Sequence, residues 1–421
     1  MNSLEPTEKP KGLAVFDVEG VLLPKRRYIP FEATRELGLS KFLKILFFGL
    51  LYEIGLLPLE AALKRIFKCL RGYTVEELHH YYEKMPLLPG SQKVFEDLHK
   101  HGWKTALISS GLPNTVIQEL AAKLRADYAF GLKLKIVNRK FTGEIEGEAI
   151  KKNGKATILK EILRNERMSP QNCIIVADDR NNLPMFPYAN LKIGYNPDFM
   201  LSAKSDHVIT GNLNEILPII TDTKREKPKP TLSRNDILRS AIHTGGFAVP
   251  FICNYLLDRY LTAFLILLIT LLFITSELTR ITGRKFPVFT SITSHAAVKL
   301  EQYEFAITPI FYAFGIILSL IIFSPQIAYV SIATLTLGDA SASIFGKKYG
   351  KTRFPFNKAK SVEGSLLGFI IAFLGANLFI DPVRAFIGAI TGMIVESLPT
   401  PISDNLAVPL VTGLALSLTF L

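Results

Sequence analysis

A short apolar strand near the amino terminus ends in residues suited to phosphate chemistry. In the stretch "GLAVFDVEG", Asp17 closes the strand, Glu19 follows two residues later and Gly20 comes next. Residues two apart in an extended segment face the same side, so Glu19 should lie beside Asp17. Asp17 could attack phosphorus as a nucleophile. Glu19 could protonate the leaving alcohol and later activate water, and Gly20 lets the backbone turn sharply. These residues predict hydrolysis through an aspartyl phosphate.

Three further segments could complete such a site. Ser109 ends the apolar run "TALISS", and its hydroxyl and the neighbouring amides could hold phosphate oxygens. Lys155, in "NGKATILKEIL", could neutralise charge on the nucleophile and the phosphoryl group. Asp178 and Asp179 follow the strand "CIIVA", and carboxylate oxygens suit Mg²⁺. Open α/β sheets gather ligands at the carboxyl ends of parallel strands, so we expect these residues to meet at one edge.

A second set of chemically capable residues lies in the run "TLTLGDASASIFGKKYGKTRFPFNKAKSVEGSLLGF". Asp339 falls inside an apolar segment, where an ionisable residue is costly and therefore a functional candidate. Glycines, basic residues and one acid accompany it, namely Gly338, Gly346, Lys347, Lys348, Lys351, Lys360 and Glu363. A carboxylate beside glycines and lysines could bind a Mg²⁺–triphosphate complex. The alternative is a basic cytosolic loop with a structural aspartate.

The elements that position these residues fall into two regions. From about residue 12 to 223, short β-branched runs alternate with amphipathic helical stretches, which predicts a doubly wound, parallel α/β sheet. Beyond residue 239, long apolar blocks predict an all-α, polytopic transmembrane bundle of about seven spans. We therefore predict a first domain at 1–222, a linker at 223–238 and a membrane domain at 239–421. The predicted spans are about 242–257, 260–276, 305–323, 326–345, 365–380, 385–398 and 407–421.

The distribution of charge predicts how the chain is oriented. The formal net charge is +12, and the lysines and arginines concentrate in the linker and in the loops after the second and fourth predicted spans. This asymmetry predicts a multi-pass membrane protein with its amino-terminal domain on the cytoplasmic face. The basic residues are therefore explained by the orientation of the chain in the membrane and by an anion site. No nucleic-acid partner is expected. The polar start "MNSLEPTEKPKG" predicts no signal peptide, and three dispersed cysteines indicate neither a disulfide nor a zinc site.

The amino-terminal half resembles the haloacid dehalogenase superfamily, in particular its phosphoserine phosphatase-like branch. The matching segments cover about residues 12–215 and are "FDVEGVL", "ISSG", Lys155 and "ADDRNN". The resemblance implies phosphomonoester hydrolysis and a helical cap at about 30–85. Within that cap, "KFLKILFFGLLYEIGLLP" is unusually apolar. A buried helix is the default interpretation, and a helix lying in the bilayer interface is the alternative.

The same resemblance implies a metal site and shows one departure from the family pattern. Mg²⁺ would be held by Asp17, the main-chain carbonyl of Glu19 and Asp178. Many members have a second acid in the last motif where this chain has Asn182, and Asp179 could compensate for it. A degenerate domain retained as a scaffold or regulator is the alternative.

The carboxyl-terminal half resembles the dolichol kinase and phytol kinase family, which also contains a CTP-dependent diacylglycerol kinase. The matching segments cover about residues 237–421 and are "RSAIHTGG", "EQYEF", "LGDASASIFGKKYGK", "KSVEGSLLGF" and "VESLPTPISDNLAVP". Members are polytopic enzymes that use CTP to phosphorylate lipid alcohols. One departure is Ser240, which stands beside Arg239 where the family often has a second basic residue.

That resemblance implies roles for individual residues of the membrane half. Asp339 would coordinate Mg²⁺–CTP. The residues implied in phosphate contact are Lys347, Lys348, Lys351 and Lys360. Those implied in supporting or completing the polar site are Arg239, Glu363, Asp404 and Asn405. His243 and Glu304 are candidates to deprotonate the lipid hydroxyl, although a structural role is favoured for each, and Glu396 is expected to be paired inside the bundle.

Together these expectations describe a bifunctional integral membrane enzyme. Its second half would phosphorylate an isoprenoid alcohol from CTP, and its first half would hydrolyse a phosphomonoester with Mg²⁺. The expected partners are the lipid bilayer, a lipid alcohol and its phosphate, and a nucleoside triphosphate. One alternative is a diacylglycerol-type kinase or a cytidylyltransferase that makes a CDP-lipid. The other is a phosphatase joined to a transporter or plain membrane anchor.

Overall fold

The computed structural model describes residues 10–25, 39–53, 56–74, 76–77, 80, 85–221, 234–281, 306–400 and 403–420. The chain divides into two compact units, Met1–Arg225 and Glu226–Leu421, and each has its own architecture. Glu304, the start of the predicted cap (30–38) and most of the predicted linker lie outside the described residues.

The first unit is built on a seven-stranded sheet. Its strands are β1 (Gly12–Asp17), β2 (Trp103–Pro113), β3 (Tyr128–Val137), β4 (Lys140–Glu146), β5 (Cys173–Ala177), β6 (Leu191–Tyr195) and β7 (His207–Ile209). Their spatial order is β4-β3-β2-β1-β5-β6-β7. The chain builds outward from β1 in one direction through β2 and β3, and in the other through β5, β6 and β7. The crevice beside β1 is therefore the topological switch point at which such sheets bind ligands.

The central strands are buried along their whole length. Every residue of β1 and of β5 is buried, because helices cover both faces of a doubly wound parallel sheet. Continuous apolar runs such as "GLAVF" and "CIIV" are typical of strands in that setting. Leu13 and Ile175 pack in one core cluster with Leu159 and Ile162 of a flanking helix. The predicted parallel sheet is confirmed for six of the seven strands.

One edge of the sheet departs from that prediction. β4 runs antiparallel to β3, and the two strands are joined by Asn138 and Arg139, which have positive φ angles of 51° and 59°. A two-residue turn with this backbone matches the right-handed twist of a hairpin. In β4, buried residues alternate with exposed or half-buried ones, whereas the last three residues of β3, Lys135–Val137, are all exposed. The wholly parallel prediction is therefore wrong for β4.

The helices of the first unit include two that fall in the predicted cap. They are α1 (Leu39–Glu53), α2 (Leu59–Lys68), α3 (Ser91–Lys100), α4 (Asn114–Leu124), α5 (Gly154–Asn165), α6 (Phe199–Lys204) and α7 (Leu217–Ile220). The segment after α2 is anchored on β4. The Gly72 N–H donates to the Phe141 carbonyl and the Phe141 N–H donates to the Tyr73 carbonyl, each at 2.8 Å. Phe67 of α2 packs edge-on against Phe141, so the hairpin supports the cap.

The described part of the second unit consists of helices and their connections, and the loop 350–361 contains one isolated bridge between Arg353 and Ser361. Its helices are α8 (Arg234–Gly245), α9 (Ala248–Tyr255), α10 (Arg259–Ile281), α11 (Thr308–Ile322), α12 (Pro325–Tyr349), α13 (Val362–Ala376), α14 (Pro382–Ser397) and α15 (Asp404–Ser417). Two stretches, Arg259–Glu277 and Pro325–Tyr349, are long and apolar enough to cross a membrane. Thr308–Ile322, Val362–Ala376 and Asp404–Leu418 are apolar but shorter. The helical class is as expected, and a count of about seven spans stays a prediction.

The first predicted span, 242–257, is not a single helix. It is broken between α8 and α9 at Gly246 and Phe247. Consecutive glycines weaken a helix because their backbone loses more conformational freedom on folding. Gly246 also lies so close to the hydroxyl of Tyr312 that a Cβ atom there would collide with it. The interruption therefore has a packing cause that hydrophobicity alone does not reveal.

Candidate active site

The carboxylate of Asp17 lies at the centre of the first candidate site. It follows directly from the buried strand β1 and is itself almost fully buried. Lys155 Nζ, at the start of α5, lies 2.8 Å from Asp17 Oδ1. Asn182 donates from Nδ2 to Asp17 Oδ2, and Lys155 in turn donates to Asn182 Oδ1 at 2.9 Å. Two donors from distant parts of the chain therefore fix the orientation of Asp17.

The charges around Lys155 keep it protonated. Burial alone would lower its pKa, but the negative charges of Asp17, Asp179 and Glu19 raise the pKa of Lys155 above its ordinary value. A permanently charged ammonium beside Asp17 can offset the negative charge that accumulates when a phosphoryl group is transferred.

Glu19 lies on the same side as Asp17 but in a different electrostatic setting. Its Oε1 accepts a hydrogen bond from the Gly111 N–H at 2.9 Å, and a Cβ atom at Gly111 would collide with that oxygen. Burial and then the charge of Asp17 raise the pKa of Glu19, although Lys155 and Ser109 act in the opposite direction. A raised pKa favours the protonated form of Glu19, which is the form that a general acid needs before it gives up its proton.

Gly20 is required by the turn that follows these two acids. Its φ angle is +83°, in the left-handed region that favours glycine. A Cβ atom there would also collide with the carboxylate of Asp178. The predicted role of Gly20 in a sharp turn is therefore matched by the backbone, with Asp178 as the group it approaches.

Ser109 and Ser110 lie within β2, just past Ile108, the last residue that pairs with β1. Ser109 is fully buried, and its Oγ accepts a hydrogen bond from the Leu112 N–H at 2.9 Å. Ser110 Oγ donates to the Ala149 carbonyl at 2.7 Å and accepts from Asn181 Nδ2 at 3.2 Å. The prediction that Ser109 ends its strand is wrong, because β2 continues to Pro113. Ser109 nevertheless lies next to the end of β1, with its hydroxyl oriented by the backbone.

Three carboxylates in this site could hold a metal ion. Asp17, Asp178 and Asp179 each offer an oxygen, and these oxygens lie within 4.8 Å of one another. Asp178 Oδ1 is buried and has no hydrogen-bond partner among the described residues. A buried carboxylate oxygen of this kind is costly unless something satisfies it, and hard oxygen ligands suit Mg²⁺. The residues therefore fit a Mg²⁺ ion, whereas the part assigned to the carbonyl of Glu19 stays a prediction.

Lys25 is the main residue of this site that sequence reasoning missed. Its Nζ lies 2.9 Å from Asp178 Oδ2 and 2.7 Å from Asp179 Oδ2. Burial raises the pKa of Asp178 well above its ordinary value despite Lys25. Burial acts the same way on Asp179, but Lys25 and Lys155 hold the pKa of Asp179 below its usual range. The only signal in the sequence was a lysine eight residues after Asp17.

Asn182 and Arg180 extend the same loop after β5. Asn182, which stands where many family members have an acid, links Lys155 to Asp17 as described above. Arg180 donates from its backbone N–H to Asp198 Oδ2 at 2.7 Å and from its guanidinium to the Tyr52 carbonyl at the end of α1. Its guanidinium also lies 5.0 Å from the centre of the Tyr52 ring. The loop that carries Asp178 and Asp179 is therefore bonded to the cap helix.

The second candidate site lies around Asp339. This residue ends a π-helical turn, Thr334–Asp339, inside the long helix α12. Such turns are rare and often occur at functional sites. His243 Nδ1 lies 3.6 Å from Asp339 Oδ2, and the imidazole ring packs on Tyr312 with 4.3 Å between ring centres. His243, named as a candidate base, is thus the described neighbour that directly faces the carboxylate of Asp339.

A network of three charged residues lies in the same unit. Lys360 Nζ lies 2.5 Å from Glu396 Oε1 and 2.8 Å from Asp404 Oδ2. Glu396 also accepts a hydrogen bond from Ser365 Oγ at 3.2 Å. Glu396 is therefore paired, as expected, and its partner is the lysine that was predicted to contact phosphate. Phosphate contact by Lys360 stays a prediction.

The remaining predicted nucleotide-site residues are spread over the loop between α12 and α13 and over neighbouring helices. Lys347 pairs with Asp236 at 2.6 Å, and Lys348 lies 5.1 Å from the centre of the Tyr349 ring. Glu363 accepts hydrogen bonds from the backbone N–H groups of Lys351 and Thr352 at 3.1 and 3.0 Å. The structure therefore gives Lys347 an acidic partner and makes Glu363 a support for the loop.

Close packing explains the glycines and the asparagine of this predicted site. Gly338 lies against Met393 and Ala372, and Gly346 against Ser361. Asn405 donates from Nδ2 to the Thr308 carbonyl at 3.4 Å. Arg239 lies on α8 and is partly exposed. Helix packing accounts for these contacts, and their part in nucleotide binding stays a prediction.

Comparison with known proteins bears on the first unit. Residues 14–187 match the family model described as haloacid dehalogenase-like hydrolase. A phosphoserine phosphatase of Archaeoglobus fulgidus is 33% identical over 201 residues, which are 48% of this chain and 57% of that protein. A phosphoserine phosphatase of Methanocaldococcus jannaschii is 29% identical over 214 residues, which are 51% of this chain and 99% of that protein.

A solved structure is also similar to part of this chain. It is described as a phospho-aspartyl intermediate analogue of phosphoserine phosphatase, with 28% sequence identity and a TM-score of 0.46 over 50% of this chain and 99% of that one. The chain thus spans little more than half of the Archaeoglobus relative but nearly all of the Methanocaldococcus one. The first unit is therefore similar, over residues 14–187, to haloacid dehalogenase-like hydrolases, and the relatives named here are phosphoserine phosphatases.

Proposed function

We propose that the haloacid dehalogenase-like unit hydrolyses a phosphomonoester through a phosphorylated Asp17. The observation that carries this proposal is the environment of Asp17. Its carboxylate is buried, oriented by Lys155 and Asn182, and accompanied by Glu19, whose pKa is raised. A nucleophile, a proton donor and a counter-charge therefore meet at the switch point of the sheet.

The reaction would proceed in two displacements. In the first, an oxygen of Asp17 attacks phosphorus while Glu19 transfers its proton to the departing alcohol oxygen. In the second, Glu19 accepts a proton from water, the water oxygen attacks phosphorus and Asp17 is released. The ammonium of Lys155 offsets the negative charge of the phosphoryl oxygens, and the Ser109 hydroxyl and its neighbouring amides hold them. Mg²⁺ bound by Asp17 and Asp178 would supply further positive charge at those oxygens.

The class of phosphomonoester can be tested directly. The relatives named as phosphoserine phosphatases support a small, polar substrate such as phosphoserine. The cap supports a second candidate, a lipid monophosphate, because Phe47 of α1 and the nearby Leu56 are exposed apolar residues. Purified full-length protein in detergent would be incubated with phosphoserine, with a polyprenyl monophosphate and with phosphatidic acid, and phosphate release measured. A preference for phosphoserine contradicts the lipid candidate, and the reverse order contradicts the first.

For the second unit we propose CTP-dependent phosphorylation of an isoprenoid alcohol. The position of Asp339 supports this, because a partly buried carboxylate at a π-helical turn, facing His243, is an expensive arrangement for a plain anchor. Asp339 would bind Mg²⁺–CTP, and the lysines of the loop after α12 would contact the phosphates. If both units acted on one lipid they would undo each other's work, so we propose different substrates or separate regulation.

Labelled nucleotide tests this second proposal. Membranes containing the full-length chain would be incubated with γ-labelled CTP, or with ATP, and a panel of lipid alcohols. Label in a lipid monophosphate with release of CDP supports the kinase. A CDP-lipid with pyrophosphate supports a cytidylyltransferase instead. Asp339→Asn should abolish labelling, whereas labelling that persists in this variant would contradict the assignment of Asp339.

We also propose that the protein is multi-pass, with its first unit on the cytoplasmic face. Two helices of spanning length and three shorter apolar helices support this, as does the concentration of basic residues in the loops on one side. Single cysteines placed at Arg259 and at Lys351 would be labelled with a membrane-impermeant maleimide in intact cells. Labelling at Arg259 alone is expected, and labelling at Lys351 alone would reverse the orientation.

A further inference from the structure

Lys25 forms ion pairs with two of the acids that could bind a metal ion. Its ammonium bridges Asp178 and Asp179, the two acids that follow β5, at 2.9 and 2.7 Å. Those acids are 153 and 154 residues away in sequence. The bridge closes around two of the three carboxylates whose oxygens could bind a metal ion. Lys25 therefore holds positive charge at the position where Mg²⁺ would supply it.

The bridge leaves the site incompletely satisfied. Asp178 has a side chain only 8% exposed, and its Oδ1 has no hydrogen-bond partner in the described part of the chain. Lys25 satisfies the other oxygen, Oδ2, and itself remains 37% exposed. A lysine ammonium is a compact charge on a flexible four-carbon stem, so it can move to a new partner without rearranging the strand that precedes it.

The balance of charge gives that movement a direction. Three carboxylates (Asp17, Asp178, Asp179) face two ammonium groups (Lys25, Lys155), so the cluster carries one excess negative charge when all five groups are ionised. A divalent cation at the carboxylates reverses the excess to one positive charge. A phosphate dianion then restores a negative total, and an ammonium close by would favour its binding.

We propose that Lys25 exchanges partners during the catalytic cycle: it neutralises Asp178 and Asp179 in the ion-free protein and, once Mg²⁺ occupies the site, contacts the phosphoryl oxygens of the substrate. This inference rests on the proposed phosphatase function of the first unit. It makes Lys25 a competitor of the metal ion and a ligand of the anion. Removing the charge of Lys25 should therefore strengthen the binding of Mg²⁺ and weaken the binding of phosphate. Loss of packing alone would not produce these opposite changes.

Binding measurements on full-length protein in detergent test the exchange. Lys25→Met keeps most of the apolar stem and removes the charge. Titration calorimetry with Mg²⁺ alone should give a dissociation constant at least about fivefold lower than in the wild type, since a competing charge is gone. Titration with inorganic phosphate at saturating Mg²⁺ should give a dissociation constant at least about fivefold higher. In EDTA the variant should also unfold at a lower temperature.

Matched variants assign these effects to the site. Lys104→Met is the control, because Lys104 is 33% exposed and pairs with Glu166 at 2.7 Å on another part of the same unit; it should change neither dissociation constant. Asp178→Asn should remove the Mg²⁺ heat that belongs to this site. Lys25→Arg should behave like the wild type in both titrations. Lys25→Gln gives the same pair of readings if Lys25→Met fails to unfold cooperatively.

Two results would overturn the proposal. An unchanged or weakened affinity for Mg²⁺ would show that Lys25 does not compete with the ion. Unchanged phosphate affinity would show that Lys25 does not move to the anion. Neither binding measurement requires turnover, so both are separate from the proposed hydrolysis. That proposal fails if the wild type releases no phosphate or if the Asp17→Asn variant still hydrolyses phosphomonoesters.

Discussion

The two charged clusters of this chain are balanced in different ways. At the sheet edge of the first unit, Lys155 and Asn182 hold Asp17, yet Asp178 keeps a buried oxygen without a partner in the described structure. In the helical unit, Lys360 bonds both Glu396 and Asp404, and Glu396 uses its second oxygen as well. One cluster is open to a further ligand, and the other is closed on itself.

This difference separates a binding site from a structural network. A buried polar atom that is left unpaired costs free energy, which a ligand can recover. A network in which every member is paired stabilises one arrangement of the helices instead. In the second unit, the carboxylate of Asp339 lies 3.6 Å from His243, which is longer than a normal hydrogen bond. Lys360 is held by Glu396 and Asp404, so contact with phosphate would require it to leave one of these partners.

The largest expected effect separates the two units by their chemistry. Asp17→Asn should lower phosphomonoester hydrolysis by about a thousandfold or more, because a neutral amide cannot serve as the nucleophile. Lipid labelling from CTP should be unchanged in the same membranes. Asp339→Asn should do the opposite. Both activities are measured on each variant, and loss of both in either variant would contradict two independent sites.

The closed network should respond to a mutation by losing stability. Lys360→Met leaves Glu396, with a side chain only 2% exposed, without its counter-charge. Removing one partner of a buried ion pair costs about 3–5 kcal/mol, so we expect a large fall in the unfolding temperature of the protein in detergent. Lys348→Met, at an exposed lysine of α12, is the control and should have little effect. Comparable stability of both variants would mean that the network is not structural.

These contrasts also show which features can be predicted from sequence. Asp17, Ser109 and Asp178 could be predicted because each follows a continuous apolar run, and the ends of parallel strands meet at one edge. Lys25 could not, because its contact with Asp178 depends on how the chain folds back after Gly20. The pairing of Lys360 with Glu396 likewise depends on which helix faces meet.

Backbone geometry limited the prediction in the same way. The antiparallel strand β4 depends on a turn at Asn138 and Arg139, neither of which is a glycine. The break at Gly246 depends on the approach of Tyr312 from another helix. Hydrophobic patterns report which segments are buried, whereas these features are set by contacts between segments far apart in the chain.

A smaller effect should distinguish strain in the backbone from damage to the open site. Gly20→Ala places a methyl group against the carboxylate of Asp178 at a φ angle of +83°. Gly102→Ala imposes a similar φ angle of +74° where nothing lies within 4 Å. Both should cost about 1 kcal/mol or more of stability. Only Gly20→Ala should also weaken Mg²⁺ binding by about tenfold or more. Equal Mg²⁺ affinities of the two variants would contradict the close approach of Gly20 to the Asp178 carboxylate.

The smallest expected effect is a pH dependence of stability caused by Glu19. Its pKa in the folded protein is raised above 4.5, so the folded state binds the proton more tightly than the unfolded state. The resulting stabilisation is fully present below pH 4.5 and is lost as the pH rises through the folded pKa. In EDTA, the unfolding temperature of Glu19→Gln should therefore fall less than that of the wild type across this window. If the unfolding temperatures of the two proteins change equally with pH, the pKa of Glu19 is not raised.

The most direct test of the central claim is to trap the covalent intermediate. With p-nitrophenyl phosphate the leaving group needs no proton, so Glu19→Gln should still transfer the phosphoryl group but hydrolyse the product slowly. Rapid acid quenching followed by peptide mass spectrometry should then find one phosphoryl group on Asp17, together with a stoichiometric burst of p-nitrophenol. Phosphate on another residue, or turnover without any covalent phosphate, would contradict the proposed mechanism.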